Sequence, residues 1–322
     1  MFPLKFSLQA LFVLVLLVLF GCKKNEVSGQ PDAPVENLTS VGSTNKGIQW
    51  ILDKYRNDNM HVMVAAHRGN WKNAPENSLS AIRQCIDSGV EILELDIRLT
   101  RDEQLVLMHD KVLGRTATGS GEIKYQSLSA LKQQYLIGRD GKVTGERIPT
   151  LEEGLLLAKG KVLIMLDKSE YLMPWIEKVL EKTGMKQQIL LLEFNDYETT
   201  VNTYGSLLDS VIYVPGVHQS NNNMAAYISS FQHSNYNPSC FAFWIKKEDS
   251  PVLPYIAQVQ QTGDRIWINT VDADQCAGHT DLVSLKAPDS GWGWAIGKGG
   301  NIILTDEADK LMSYLRSINR RN

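Results

Sequence analysis

Short apolar runs recur along this chain with longer amphipathic segments between them, and that alternation predicts the fold. The runs Val62–Ala66, Ile92–Ile97, Lys161–Leu166 and Ile189–Glu193 read as strands. Four more follow at Ser210–Val214, Cys240–Ile245, Arg265–Thr270 and Asn301–Leu304. Helix signals fill the gaps. Pro75-Glu76 opens a segment with Leu79, Ile82 and Ile86 on one face and Gly89 just past its end. Pro149-Thr150-Leu151-Glu152-Glu153 opens another, and Asp306 reads as the cap of a last helix ending in Arg316. Eight strands alternating with helices predict an α/β chain folded as a (β/α)8 TIM barrel. A doubly wound open sheet is the competing topology, but no glycine-rich phosphate fingerprint follows the first strand. One connection is long. Residues 111–148, after the second strand, carry Gly114, Gly119, Gly121, Gly138, Gly141 and Gly145 and a short helical piece around Ser127–Gln134. An elaborated loop at that end of a barrel shapes the substrate pocket.

The N-terminus stands apart from this pattern. Lys5 precedes the unbroken apolar run Leu11 to Phe20, which closes on Leu19-Phe20-Gly21-Cys22. Such a run is short for a membrane span and typical of a signal h-region. Its ending resembles a bacterial lipoprotein signal, which implies a lipidated Cys22 and a place in the bacterial cell envelope, facing the periplasm or the exterior. Gln30 to Asn45 is rich in Pro, Ser, Thr, Gly and Asn without apolar period, as in a flexible tether. The chain thus divides into a signal over 1–22, a linker over 23–45 and a barrel domain over 46–322. Composition narrows the classes further. Net charge is only −3, with no basic stripe, which argues against nucleic acid as partner. Beyond Cys22, only Cys85, Cys240 and Cys276 occur, too far apart for a disulfide framework or a zinc site. No feature of the sequence speaks to oligomeric state.

Candidate chemistry is concentrated between His67 and Asp110. His67-Arg68 end the first strand, and Glu94 and Asp96 lie two apart on the second, so both point to the same side of the sheet. Two carboxylates forced together repel, and a divalent cation relieves the repulsion; hard oxygen ligands suit Mg²⁺ or Ca²⁺. Asp167, ending the third strand, can supply a third carboxylate; its competing reading is a helix cap. His109 follows the extended run Gln104–Met108. Two histidines beside a carboxylate-held cation suggest paired acid and base catalysis. Arg68 would meet a phosphate oxyanion.

His67-Arg68-Gly69, Pro75-Glu76-Asn77, Glu94-Leu95-Asp96 and His109-Asp110 together resemble the glycerophosphodiester phosphodiesterase family. Further matches are Leu113-Gly114-Arg115-Thr116, Ile148-Pro149-Thr150-Leu151-Glu152 and Ile302-Ile303-Leu304-Thr305-Asp306. The resemblance implies a (β/α)8 barrel, catalytic His67 and His109, metal ligands Glu94 and Asp96, a phosphate-facing Arg68, and Glu76 and Asn77 within the site. The implied reaction is metal-dependent hydrolysis of glycerophosphodiesters to sn-glycerol 3-phosphate and an alcohol. Two departures bear on it. Where the family usually has Glu-x-Lys, the third strand ends Asp167-Lys168-Ser169, so alternation puts Ser169 in the lysine's place and Lys168 one step off, able to reach round. Asn269 stands where an aromatic wall is common. His279, in the loop after the seventh strand, is a possible substrate contact or a surface histidine. Trp292 and Trp294 read as packing ahead of pocket walls. His61, His218 and His233 show no supporting neighbours. Alternative functions are a lysophospholipase D-like or phosphoinositide-type phosphodiesterase, or a non-catalytic phosphate-ester binding lipoprotein.

Overall fold

The computed structural model describes residues 45–236 and 238–321; Cys22 and nearly all of the linker lie outside them. The strands, in chain order, are β1 (Met63–Ala66), β2 (Ile92–Leu99), β3 (Leu105–Leu107), β4 (Tyr135–Ile137) and β5 (Val143–Arg147). They continue with β6 (Leu163–Asp167), β7 (Ile189–Glu193), β8 (Ile212–Val217), β9 (Cys240–Phe243), β10 (Arg265–Asn269) and β11 (Ile302–Thr305). β1, β2 and β6 to β11 are parallel neighbours, and β1 pairs with both β2 and β11, so the sheet closes into the expected (β/α)8 barrel.

Strand alternation splits the core into two layers. Met63, Ala65, Ile92, Leu163, Trp267 and Ile302 face inward and pack on one another. Val64, Leu93, Ile164, Ile266 and Ile303 face outward, against helices such as Leu79–Ser88 and Leu151–Ala158. Each of these apolar side chains is fully buried, which stabilises the fold by about 1.5–3 kcal/mol for the larger ones. The N-terminal mouth of the barrel is closed by the helix Ile48–Asn57, whose Ile51, Leu52 and Tyr55 join the inward layer. Arg265, the first residue of β10, fixes that helix. Its buried guanidinium donates to the carbonyls of Lys54, Tyr55 and Asp58 at 2.5, 2.7 and 2.7 Å, and to those of His61 and Asn301 at 3.2 and 3.1 Å. His61 is not isolated, as its sequence context suggested. It packs into a buried cluster with Glu91, 3.0 Å away, and Arg321, which also contacts Glu91.

Several expected boundaries move for identifiable reasons. The helix expected from Pro75 begins at Leu79, because Ser78 caps it by accepting from the Ala81 amide at 3.0 Å. Pro75 to Asn77 instead form a turn, with Asn77 at φ 58°. Gly89 ends the helix in the left-handed conformation, as its position implied. Asp306 does not cap the last helix, Ala308–Ser317; its carboxylate is taken by other partners described below. The long connection is more than a loop. β3 returns antiparallel to β2, β4 and β5 form a hairpin, and Val106, Met108, Leu113, Ile123, Leu136 and Ile148 build a small core of their own. Cys85, Cys240 and Cys276 are buried free thiols.

Candidate active site

Side chains two residues beyond the last inward-facing apolar residue of a strand emerge at the C-terminal mouth of the barrel. Ala65 leads in this way to His67, Ile92 to Glu94 and Asp96, Met165 to Asp167, Trp267 to Asn269 and Leu304 to Asp306. All of these except Asp96 and Asp306 line a cavity of about 340 Å³, together with Arg68, His109 and Glu193. Glu94, Asp96 and Asp167 each present an oxygen, and these atoms lie within 4.8 Å of one another. Burial first, and then the charges of Asp96 and Asp167, push the Glu94 carboxyl well above the usual carboxylate range, against the pull of His67.

Each histidine is oriented by a carboxylate on Nδ1. His67 Nδ1 is 2.7 Å from Asp306 Oδ1, and its Nε2 lies 3.9 Å from Glu94. Burial disfavours the His67 imidazolium, but the bond to Asp306 and the charge of Glu94 outweigh it and hold its pKa above the ordinary value. Asp306 is fixed in turn: Trp71 Nε1 donates to its carboxylate at 2.7 Å, and its amide donates to buried Asp281 at 2.7 Å. Asp281 also accepts from Thr270, Thr305 and Trp292, so Trp292 belongs to the scaffold behind His67. His109 Nδ1 is 2.7 Å from Asp110 Oδ1, and Arg98 Nε donates to the His109 carbonyl at 3.0 Å.

A line of alternating charge joins the two halves. Arg68 Nη1 donates to Glu76 at 3.2 Å; Glu76 accepts both ends of the Arg115 fork at 2.9 and 2.8 Å; Arg115 Nε donates to Asp110 at 2.7 Å. The bond from Arg115, with that from His109, holds Asp110 far below the usual carboxylate range. Glu76 therefore acts on the arginines, not on the acidic triad. Arg68 takes φ 55°, which lets its amide donate to Glu94 at 2.8 Å, while its buried Nε finds no hydrogen-bond partner among the described residues. Asn77 brackets Asp96, donating to its carboxylate at 2.8 Å and accepting from its amide at 3.0 Å.

The two departures have clear outcomes. Lys168 sits at φ 63°, and this left-handed turn swings its ammonium back to touch both Asp96 and Asp167. Ser169 occupies the alternation position and donates to Glu193 at 3.0 Å. Burial works against ionised Asp96, and Lys168 and Arg68 overcome it, keeping its pKa low. Asn269 lines the cavity, accepting from Trp267 Nε1 at 2.6 Å and donating to Gln275 at 2.7 Å. His279 lies outside the cavity. Thr270 and Asp281 close the loop after β10 on itself, and His279 stacks on Trp294 at 4.1 Å beside Glu248 at its rim.

Sequence reasoning missed Asp306, Asp281, Arg115 and Glu193 as site groups. Asp306 obeys the same two-residue step as His67, and Glu193 is a carboxylate ending a barrel strand; both signals were present. Glu193 is only 4% exposed, and burial pushes its carboxyl up to about 7.

A family model described as the glycerophosphoryl diester phosphodiesterase family matches residues 67–235, more than half of the chain, and one described as a domain of unknown function matches residues 213–315. A glycerophosphodiester phosphodiesterase from Caldanaerobacter subterraneus subsp. tengcongensis is 36% identical over 146 residues, which span 43% of this chain and 60% of that protein. A glycerophosphoryl diester phosphodiesterase structure from Parabacteroides distasonis superposes with a TM-score of 0.69 at 21% identity, covering 85% of this chain and 93% of that one. An Oleispira antarctica phosphodiesterase, solved in complex with the product sn-glycerol-3-phosphate, superposes with a TM-score of 0.58 at 20% identity over 79% of this chain and 96% of that one. The structures share the barrel, and the sequence match adds the motifs that line its mouth: the chain belongs to the glycerophosphoryl diester phosphodiesterase family.

Proposed function

We propose that this protein hydrolyses glycerophosphodiesters to sn-glycerol 3-phosphate and an alcohol. The observation that carries the reading is the pair of histidines, each with its own carboxylate on Nδ1, set beside a buried carboxylate triad. A carboxylate on Nδ1 leaves Nε2 as the atom that exchanges protons. His67, held above its ordinary pKa, takes the proton from the attacking oxygen. His109, whose side chain is 32% exposed against 17% for His67, stands nearer the exit and gives a proton to the departing alcohol. The phosphorus–oxygen bond to that alcohol breaks as the bond to the attacking oxygen forms. The attacking oxygen is water, or the substrate's glycerol 2-hydroxyl followed by water opening a cyclic phosphate; both routes use the same pair. Arg68, steadied by Glu76 and Arg115, neutralises a phosphoryl oxygen. The sn-glycerol-3-phosphate held by the Oleispira antarctica structure supports this product for the same barrel.

A divalent cation fits Glu94, Asp96 and Asp167. Their mutual repulsion, which adds to burial in keeping Glu94 high, is what a cation removes, and an all-oxygen donor set suits Mg²⁺ or Ca²⁺. When bound there, such a cation supplies electrophilic stabilisation of phosphoryl charge. Release of sn-glycerol 3-phosphate that EDTA abolishes and Mg²⁺ or Ca²⁺ restores supports the enzyme; ligand binding without turnover, indifferent to EDTA, would make it a binding module. The same proposal places the protein on the bacterial envelope through lipidated Cys22, tested by loss of radiolabelled palmitate from Cys22→Ala.

A further inference from the structure

Beside the catalytic cavity, where β2 and β6 end, lies a second one of about 400 Å³. Ile97, Leu99, Ile123 and Leu172 give it an apolar floor, and Arg98, Lys111 and Lys124 give it a cationic rim. Lys124 is balanced by Glu122 at 2.9 Å, whereas Lys111 is exposed and makes no ion pair among the described residues. Tyr171, 85% exposed, stands at the edge. Lys168 is the partition between the two cavities: it lines this one while its ammonium touches Asp96 and Asp167 of the other.

Three observations say what such a groove holds. It adjoins His109, since Arg98 on its wall donates to the His109 carbonyl at 3.0 Å and Lys111 follows two residues later. The catalytic cavity itself is lined by Glu170, Glu193, Asn269 and Gln275, hydrogen-bonding groups that suit the hydroxyls of glycerol, beside Phe194 and Trp244. With glycerol seated there, the adjoining groove is the space open to the part of the substrate that His109 protonates. The floor favours an apolar body, and the net positive rim favours a negative charge and repels a positive one.

We propose that this groove is the subsite for the departing alcohol, and that it selects alcohols with an apolar body and an anionic group over cationic ones. The inference rests on the phosphodiesterase reading with His109 as the proton donor. In each turnover the phosphorus–oxygen bond to this alcohol breaks, its oxygen takes the His109 proton, and phosphorus gains the attacking oxygen.

The test uses four sn-glycerol 3-phosphate esters. Three carry para-carboxybenzyl, para-methylbenzyl and para-aminomethylbenzyl alcohol, which share one body and differ in charge. The methyl ester, too short to enter the groove, is the reference by which each is divided. The expected kcat/KM falls in the order carboxy, methyl, aminomethyl, with about fivefold or more between the charged pair. Lys111→Glu is expected to reverse the preference within the charged pair, and Tyr171→Ala to lower all three benzyl esters relative to the reference. Turnover of all four with no order by charge, or an order that Lys111→Glu leaves in place, overturns the subsite alone. Failure of every ester, the methyl ester included, overturns the phosphodiesterase reading and the subsite with it.

Discussion

At the scale of single residues, the site is a set of acids whose tasks are separated by their neighbours. Asp306 and Asp110 are held ionised and orient histidines, whereas Glu94 is raised by burial and by the acids beside it. Asp306→Asn removes the charge that raises His67. It is expected to lower kcat by about 10²-fold or more. Because the base must be neutral to act, the acidic limb of kcat/KM should also move to lower pH, since His67 then loses its proton more readily. A pH–rate profile with its acidic limb unmoved would refute the pairing. Asp167→Ala is expected to weaken Mg²⁺ or Ca²⁺ binding by about tenfold or more, read by titration calorimetry; unchanged affinity would remove Asp167 from the ligand set. The inward-facing triad was legible in the sequence because side-chain alternation is a local rule. Lys168 was only half legible. Alternation placed it off the site, and a left-handed backbone turn that no local signal announces returned it. Arg115 was hidden for another reason: its partners Glu76 and Asp110 meet only when the long connection folds over the mouth.

At the scale of elements, all eight barrel strands were legible, with ends displaced by at most three residues, because each is a short run with an apolar core buried on both faces. The connection over 111–148 was legible as a break in the pattern with one short helical piece, which forms at Leu128–Leu131. Its hairpin and small core depend on contacts between Val106, Leu136 and Ile148 that are distant in sequence. The closing helix Ile48–Asn57 was missed altogether, since nothing in its amphipathic pattern says which surface it covers. What identifies that surface is Arg265, a charge at the start of an apolar strand, whose five carbonyl acceptors come mostly from the helix and the turn after it. Arg265→Met removes all five of these bonds and leaves the Tyr55 and His61 carbonyls without the donor they have here. It is expected to cost at least about 3 kcal/mol of stability by urea unfolding. A loss below about 1 kcal/mol would mean that the helix is held by its apolar face alone.

At the scale of the whole molecule, the two ends of the barrel do different work. The N-terminal end is locked by Arg265 and by the cluster of His61, Glu91 and Arg321, which ties the starts of β1 and β2 to the C-terminal tail. Burial opposes the Glu91 charge, and Arg321 and His61 overcome that, so its folded pKa lies below its unfolded one. Its contribution is therefore complete above about pH 4.3 and is lost as pH falls through the lower folded value. Glu91→Gln should lower stability near neutrality by about 3 kcal/mol and flatten the remaining acid dependence, as seen by urea midpoints across that range. A parallel acid slope in both proteins would exclude Glu91 as its source. The C-terminal end instead gathers carboxylates that burial raises, Glu94 and Glu193, an arrangement that stability alone does not favour and that marks a candidate functional site. The most direct measurement is sn-glycerol 3-phosphate release by the wild type, His67→Ala and His109→Ala, with folding checked by circular dichroism. Wild-type turnover with kcat lowered by about 10²–10⁴-fold in each variant is the predicted result. Folded variants that turn over at the wild-type rate would contradict the assignment of either histidine to proton transfer.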